Sequence, residues 1–258
     1  MAVELSLTGK VALVTGASRA AGIGAAICRQ FAQAGASVFF TYYTPYDAER
    51  PWGSQPSEPL ELLASLRAAG MRAEAHEADL SDPLVPARLF DFAEASLGPV
   101  DILVNNATYD DETGLEDFSA ERLDRHYTVN VRGTALMCAE MAHRFKTGMD
   151  GRIINLVSGE LVSPMPDNLP YITTKGAVDA MTITLSGSLA PLGITVNAVD
   201  PGPTDTGWMT PAVKAALTEQ APFGRVGLPE DAANLILFLA SPRGGWITGQ
   251  ILHSRGGF

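Results

Sequence analysis

Short apolar runs alternate with helical patterns along nearly the whole of this chain. The runs typical of strands lie near residues 11–15, 36–42, 71–77, 100–104, 152–157, 194–199 and 250–253. Helical patterns lie near residues 22–34, 58–69, 82–97, 116–146, 169–190, 211–220 and 229–240. Strands that alternate with helices are joined by right-handed crossovers and form a parallel sheet. The sequence therefore predicts an α/β fold, a doubly wound parallel sheet of about seven strands with helices on both faces.

The first strand leads into a glycine-rich turn. Val11–Thr15 is an apolar run, Gly16 begins the turn, and Gly22-Ile23-Gly24 opens a helical pattern. Glycines in such a turn let the backbone approach a pyrophosphate, and the helix N-terminus adds N–H donors and a positive dipole end. Strand, glycine turn and helix in this order are the context of a dinucleotide-binding fingerprint, so we expect a Rossmann-type fold.

A tyrosine, a lysine and a serine carry the second signature. Tyr171 and Lys175 are four positions apart, and Ser158 lies thirteen positions before the tyrosine. On a helix, positions i and i+4 share one face, so both side chains can point at one site. An ammonium group lowers the pKa of a nearby phenol, which ordinarily is about 10, and so favours proton transfer at neutral pH. The serine can donate a neutral hydrogen bond to a substrate oxygen.

These features resemble the short-chain dehydrogenase/reductase family, and most closely its ketoacyl-reductase-like branch. The resemblance runs almost from end to end and rests on many short motifs in order. They are Thr15-Gly16-Ala17-Ser18-Arg19, Ala78-Asp79-Leu80, Asp101-Ile102-Leu103-Val104-Asn105-Asn106-Ala107, Val129-Asn130-Val131, Ser158, Tyr171/Lys175, Val196-Asn197-Ala198-Val199, Asp200-Pro201-Gly202, Thr248-Gly249-Gln250 and Gly256-Gly257-Phe258.

The resemblance implies site residues and a mechanism. The implied catalytic residues are Asn130, Ser158, Tyr171 and Lys175. Tyr171 would donate a proton to a carbonyl oxygen that Ser158 holds, and Lys175 would bind the nicotinamide ribose and stabilise the phenolate. Asn130 would support a water-linked proton path to the lysine. The implied cofactor-binding residues are Gly16, Ser18, Arg19, Gly22, Ile23, Gly24, Tyr42, Asp79, Leu80, Asn106, Ala107, Lys175, Pro201, Gly202, Thr204 and Thr206.

Two departures from the family pattern keep an alternative open. Five residues separate Gly16 from Gly22, where the family usually has three. Enoyl reductases of the same superfamily often have such a lengthened loop, although they typically place tyrosine and lysine farther apart. Thr108 replaces a frequent glycine and adds a hydroxyl near the expected nicotinamide pocket. We therefore expect a carbonyl reductase or alcohol dehydrogenase, with an enoyl reductase or a non-catalytic nucleotide-binding regulator as alternatives.

The end of the second strand predicts the choice of cofactor. A carboxylate there would bind the ribose hydroxyls and repel a 2′-phosphate, but the position is occupied by Tyr42. Arg19 lies where basic residues often meet a 2′-phosphate, and Arg50 follows in a proline-rich stretch. These residues favour NADP(H) over NAD(H). Asp47 and Glu49 would oppose a phosphate if they pointed inward.

The proline-rich stretch runs from Thr44 to Pro59. Its proline density favours an ordered irregular loop over a helix. Because it follows the strand at which the adenosine ribose would bind, it is either a solvent-facing decoration or a part of the cofactor site.

Composition excludes several partners. The formal charge of −11 argues against nucleic acid and anionic membrane surfaces. No apolar run reaches the ~18 residues of a membrane span, and no His/Cys cluster has metal-ligand spacing, so we expect a cytoplasmic protein without a metal. Cys28 and Cys138 fall in helical patterns and are predicted to be apolar fillers. The chain of 258 residues shows no linker, so residues 1–258 are predicted to form one domain.

The substrate is less constrained. Residues 204–227 are predicted to form a lid, and Thr108, Tyr109, Glu160, Leu161 and Met165 to line the pocket. A small-molecule ketone or alcohol is preferred over a substrate bound to acyl carrier protein, an acidic partner that would need a basic patch. Candidates for such a patch are Arg122, Arg125, Arg132 and Arg144. The helices near 116–146 and 169–190 and the segment from Trp246 to Phe258 resemble the family's interfaces, which implies a homotetramer, with a dimer as the alternative.

Overall fold

The computed structural model describes residues 5–146, 150–159 and 162–258. Its strands form one seven-stranded sheet in the order β3-β2-β1-β4-β5-β6-β7, and every pair is parallel. The strands are β1 (Val11–Val14), β2 (Ser37–Tyr42), β3 (Ala73–Glu77), β4 (Ile102–Asn105), β5 (Gly151–Leu156), β6 (Ile194–Asp200) and β7 (Ile251–His253). The predicted fold class is confirmed.

The helices cover both faces of the sheet. They are α1 (Ile23–Gln33), α2 (Thr44–Ala48), α3 (Glu58–Ala68), α4 (Val85–Ser96), α5 (Ala120–His126), α6 (Thr134–Arg144), α7 (Leu169–Leu189), α8 (Pro211–Gln220) and α9 (Pro229–Ala240). One buried cluster joins α1, α3 and α9 to one face, and includes Phe31, Phe40 and Ile236. A second cluster joins α4 and α6 to the other face, and includes Phe90 and Met137. β1, β4 and β5 are buried throughout because helices cover both of their sides.

Two helical predictions differ from the structure. The predicted helix over residues 116–146 begins only at Ala120, where the Ser119 hydroxyl accepts a hydrogen bond from the Arg122 N–H. A π-helical segment, Tyr127–Gly133, separates α5 from α6. The Thr44–Pro59 stretch is not wholly irregular, because its first residues form α2 with Pro45 in the first turn, where a proline costs no hydrogen bond.

The topology creates a crevice at the carboxyl ends of β1 and β4. The chain leaves β1 toward β2 on one side, whereas β4 lies on the other side. This reversal of strand order is where open α/β sheets bind ligands. The glycine turn after β1 and the Asn106-Ala107 turn after β4 meet there.

The two cysteines lie apart in the core. Cys28 belongs to the cluster of α1 and Cys138 to the cluster of α6, and both are buried free thiols. Burial raises the pKa of Cys138 to about 12, so this thiol stays protonated and apolar in character. Both cysteines pack as small apolar side chains.

Candidate active site

The glycine turn approaches the end of β4 so closely that side chains are excluded. Gly16 has a φ of 76°, and a Cβ on it would lie 2.6 Å from the Cα of Ala107. A Cβ on Gly24 would lie 2.5 Å from the Gly16 carbonyl oxygen, and that oxygen accepts a 2.8 Å hydrogen bond from the Asn106 amide. Backbone alone therefore faces the crevice at the start of α1, where the N-cap Gly22 leaves the first N–H groups without a side-chain acceptor. This cradle fits the diphosphate of a dinucleotide.

A cavity of about 420 Å³ lies against this cradle. Most of the predicted cofactor-binding residues line it, namely Gly16, Ser18, Arg19, Gly22, Ile23, Tyr42, Asp79, Leu80, Asn106, Ala107 and Thr206. Gly24, Lys175, Pro201, Gly202 and Thr204 lie outside its wall, as do Asn130, Ser158 and Tyr171. The cavity therefore coincides with the predicted adenosine and diphosphate end of the site, and the predicted catalytic residues lie beyond it.

Arg19 is engaged by an acidic residue of the same cavity wall. Its Nε lies 3.3 Å from Oδ1 of Asp47, a buried residue, and its guanidinium stacks 4.6 Å from the ring centroid of Trp52. Trp52 Nε1 donates to the same Asp47 oxygen at 2.9 Å, and Arg19 donates to Thr206 Oγ1 at 3.4 Å. Arg19 thus spans from α2 to the loop after β6. Asp47 and Glu49 both line the cavity, so this end of the site carries charges of both signs.

Two tyrosines at the end of β2 stay neutral. Burial, followed by the carboxylate of Glu77, raises the pKa of Tyr42. Burial, followed by Asp79, raises the pKa of Tyr43, and the Tyr43 N–H donates to Ser18 Oγ at 3.1 Å. Tyr42, a neutral phenol, therefore occupies the position predicted for a ribose-binding carboxylate.

The structure brings Tyr171 and Lys175 together on the first turns of α7. The Lys175 Nζ lies 5.5 Å from the Tyr171 ring centroid, and the lysine is only 4% exposed. Its ammonium donates a 2.8 Å hydrogen bond to the Leu156 carbonyl oxygen at the end of β5. Ser158 follows two residues later, and its hydroxyl lies 4.0 Å from Met165 Sδ. The strand end therefore fixes the lysine beside the serine-bearing loop.

Asn130 lies in the π-helical segment and is buried. Its amide oxygen accepts from the Tyr109 N–H at 2.7 Å and from Thr108 Oγ1 at 3.1 Å. Its amide nitrogen donates to the Tyr109 carbonyl at 2.9 Å and to Thr174 Oγ1 at 3.0 Å. The side chain thus joins the loop after β4 to the residue next to Lys175. The departure at Thr108 contributes one of these bonds.

The pocket predictions lie partly within the described residues. Thr108 and Tyr109 line the cavity, and Met165 contacts Ser158. Glu160 and Leu161 lie outside the described residues. In the loop after β6, Thr204 Oγ1 donates to the Pro201 carbonyl at 3.0 Å, and Thr204 pairs with Gly227 in an isolated bridge. No group of three His, Cys, Asp or Glu side chains able to hold a metal occurs in the part of the chain that the structure describes.

Sequence reasoning missed a buried ion pair near this site. Asp200, which is 1% exposed, accepts hydrogen bonds at 2.9 Å from Arg255 and from the N–H of Gly202. A Cβ on Gly159 would collide with the Arg255 guanidinium. The signal available was a charged residue immediately before the C-terminal Gly256-Gly257 motif. Its partner is fifty-five positions away, which no local pattern reveals.

Comparisons with known proteins agree with this geometry. Residues 16–258 match the family described as enoyl-(acyl carrier protein) reductase. A protein of Bacillus subtilis (strain 168), described as an uncharacterized oxidoreductase, is 45% identical over 251 residues, which are 96% of both chains. An NADPH-dependent aldehyde reductase-like chloroplastic protein of Arabidopsis thaliana is 38% identical and covers 98% of this chain and 96% of its own.

Solved structures share the fold over their full length. A short-chain dehydrogenase from Burkholderia cenocepacia J2315, in complex with NADP, has a TM-score of 0.86 at 34% identity. The superposition covers 97% of this chain and 98% of the other. The likeness therefore extends over the sheet, both helix layers and the crevice.

Proposed function

Because the chain belongs to the short-chain dehydrogenase/reductase family and is an oxidoreductase, we propose that it transfers hydride between NADP(H) and the carbonyl or secondary alcohol of a small molecule. The observation that carries this proposal is the pairing of Tyr171 with Lys175. The buried ammonium lies 5.5 Å from the tyrosine ring centroid and is fixed on the strand end that precedes Ser158. An ammonium group beside a phenol favours the phenolate that remains after proton transfer, which is what general acid catalysis by a tyrosine requires.

The proposed roles follow from the chemistry of each side chain. The nicotinamide, when bound, supplies or accepts the hydride. Tyr171 donates a proton to the substrate oxygen, and Ser158 holds that oxygen by a hydrogen bond that strengthens as negative charge develops. Lys175 binds the ribose and stabilises the phenolate. Asn130 supports the proton path to Lys175 and, through Thr174, holds α7 against the loop after β4.

NADP(H) is the proposed cofactor on the strength of four observations. Tyr42 stands where NAD-specific enzymes place a carboxylate, and Arg19 lines the adenosine end of the cavity. The Arabidopsis relative is named NADPH-dependent, and the Burkholderia structure contains NADP. Asp47 and Glu49 oppose this preference, although the Arg19–Asp47 pair offsets the charge of Asp47. We propose that the attraction of Arg19 for a 2′-phosphate exceeds the repulsion of that phosphate by Asp47 and Glu49.

A small ketone or 3-oxoacyl compound is the proposed substrate. Enoyl reduction is the second candidate, because the matching family is described by that activity and the glycine loop is lengthened. The spacing of Tyr171 and Lys175 favours carbonyl chemistry. A docking patch for acyl carrier protein has little support, since Arg122 pairs with Asp111 and Arg144 pairs with Asp91, Glu94 and Glu140. Arg132 donates to the Ser81 carbonyl.

The remaining features are proposed from the family and the surface. Residues 1–258 act as one domain, and residues 204–227, which contain α8, act as the substrate lid. The active form is a cytoplasmic homotetramer, with a dimer as the alternative, and it has no nucleic acid or membrane partner. Among the described residues, no helix is both long and apolar enough to cross a membrane.

The test is a screen of NADPH and NADH oxidation against ketones, 3-oxoacyl thioesters and enoyl thioesters. Turnover of a carbonyl compound that depends on Tyr171 supports the proposal. Turnover of enoyl thioesters without carbonyl reduction would replace it with the second candidate. Binding of nucleotide with no turnover of any class would favour a nucleotide-binding regulator.

A further inference from the structure

The segment of residues 44–58, called the strap below, is attached on both sides of the nucleotide crevice. On the glycine-turn side, Glu58 accepts a 2.5 Å hydrogen bond from the Ala20 N–H, and Asp47 pairs with Arg19. On the opposite side, the Tyr46 hydroxyl donates to the Asp110 carbonyl oxygen at 3.1 Å. The strap therefore bridges the crevice, and the Tyr46 hydroxyl makes a direct bond to its far wall.

Tyr46 is held by packing as well as by this bond. Its ring lies 5.6 Å from that of Tyr109 and 6.5 Å from that of Trp52. The Arg50 guanidinium lies over both tyrosine rings, 4.8 Å from the centroid of Tyr46 and 5.2 Å from that of Tyr109. Burial raises the pKa of Tyr46 to about 12, so its hydroxyl keeps its proton and remains a donor at physiological pH.

The bond of Tyr46 continues into the expected catalytic residues. Asp110 follows Tyr109, whose N–H and C=O hold the two ends of the Asn130 amide at 2.7 and 2.9 Å. Asn130 in turn donates to Thr174, the neighbour of Lys175 on α7. One hydrogen-bonded path therefore leads from the strap to the turn of helix that carries Tyr171 and Lys175.

The same strap forms part of the nucleotide cavity. Pro45, Tyr46, Asp47 and Glu49 line the cavity from the strap, and Tyr109 lines it from the far wall. A nucleotide in this cavity would contact Tyr46 on the strap and Tyr109, the residue before Asp110, on the far wall. A bound nucleotide and the bond between Tyr46 and Asp110 therefore both favour the arrangement in which the strap lies across the crevice.

We propose that Tyr46 is a positioning residue that closes the strap over the adenosine half of the dinucleotide and, through Tyr109, orients Asn130 against α7. The inference rests on the proposed function, since it takes the cavity as the nucleotide site. It assigns a role to the proline-rich segment that the sequence left undecided. Nucleotide release requires the Tyr46–Asp110 bond to open, and nucleotide binding stabilises the hydrogen bonds of Asn130.

Tyr46→Phe tests the proposal because it keeps the ring and removes only the hydroxyl. NADPH release, followed by stopped-flow fluorescence, is expected to become about fivefold faster, the effect of one neutral hydrogen bond. Tyr127→Phe is the matched control, since it removes a phenolic hydroxyl from a half-exposed residue. Its release rate is expected to equal that of the wild type.

Amide hydrogen exchange supplies a readout that needs no substrate. In the wild type, NADPH is expected to slow exchange of the Tyr109 amide, which donates to Asn130. In Tyr46→Phe this protection is expected to be largely lost, although the melting temperature stays near that of Tyr127→Phe. Unchanged release and unchanged Tyr109 protection in Tyr46→Phe would overturn the inference and leave the proposed function standing. Failure of the wild type to bind either nucleotide would instead overturn the proposed function.

Discussion

Arg255 donates a 2.9 Å hydrogen bond to the carboxylate of Asp200, a residue that is almost completely buried at the end of β6. The same guanidinium packs against Gly159, which follows Ser158. The C-terminal segment therefore ties the loop after β6 to the loop after β5. These are the two loops that we expect to flank the nicotinamide and the substrate.

Removal of Arg255 is expected to destabilise the protein strongly. Arg255→Gln leaves the buried Asp200 carboxylate without its guanidinium partner, a change that typically costs about 3 kcal/mol or more. His253→Gln is the matched control, because His253 contacts the same Asp200 oxygen at 2.9 Å but is 38% exposed. Urea unfolding of both variants measures the difference. Equal losses of unfolding free energy in the two variants would show that the Arg255 guanidinium contributes no more than His253 to stabilising Asp200.

Tyr171→Phe is expected to remove most turnover and to leave NADPH affinity nearly unchanged, because only the proton-donating oxygen is lost. General acid catalysis is typically worth 10²–10⁴-fold, so kcat should fall by about that factor. Steady-state kinetics measures kcat, and nucleotide titration of the same preparation measures the affinity for NADPH. A variant that retains more than about a tenth of the wild-type kcat would exclude Tyr171 as the proton donor.

NADPH is expected to bind at least about tenfold more tightly than NADH, since a hydrogen bond to a charged group contributes roughly 1.5–3 kcal/mol. Arg19→Ala should erase most of this preference, and Tyr42→Asp should reverse it by repulsion. Asp47→Asn should increase the preference, because Asp47 occupies Arg19 and would repel the phosphate. Calorimetric titration of both nucleotides checks all three variants.

Two outcomes would revise the cofactor assignment. Equal affinities for NADPH and NADH in the wild type would refute it. An unchanged preference in Arg19→Ala would move the phosphate site toward Arg50, whose guanidinium lies over the rings of Tyr46 and Tyr109.

The protein is expected to elute as a homotetramer, with a mass about four times 27.3 kDa by light scattering at micromolar concentration. Trp246, which is 99% exposed, lies in the segment predicted to form an interface. Trp246→Glu should therefore shift the assembly toward smaller species. Leu84→Glu, at another exposed apolar side chain, is the control and should leave the mass unchanged. A monomeric wild type would contradict the prediction.

Stability is expected to fall in alkaline solution partly through Tyr46. Its folded-state pKa is about 12, whereas a tyrosine in the unfolded chain titrates near its ordinary value of about 10. Above about pH 10 the unfolded state loses this proton first, so rising pH favours unfolding. The contribution is fully present below that pH and is lost as pH rises toward 12. Tyr46→Phe should show a smaller loss of unfolding free energy between about pH 9 and about pH 11.

The parts of the fold that depend on local pattern were predictable from sequence. The central strands β1, β4 and β5 are buried and largely apolar, and the order of motifs implied which strand ends meet. The Gly16 turn and the Asn106-Ala107 turn lie together as expected, as do Tyr171 and Lys175, because four residues on a helix fix their relative direction. The assigned roles of these residues stay predictions.

Contacts between distant loops could not be predicted in this way. The pairing of Arg19 with Asp47 depends on how the glycine turn packs against the short helix α2, which the sequence did not predict. The same holds for the bond from Tyr46 to Asp110, sixty-four positions apart. The sequence pattern over residues 116–146 did not predict the π-helical turn. Hydrophobic spacing alone does not distinguish hydrogen bonds between residues i and i+4 from those between i and i+5.

The π-helical turn at Tyr127–Gly133 determines whether the chain tolerates the deletion of one residue at this point. A π turn closes its hydrogen bonds from i to i+5, one residue more than an α turn, so it holds about one residue in excess of a regular helix. We expect removal of one residue there to let α5 and α6 join as one continuous helix. The surplus residue is therefore dispensable for the helix. Its deletion would, however, move the amide of Asn130 out of its inward-facing position.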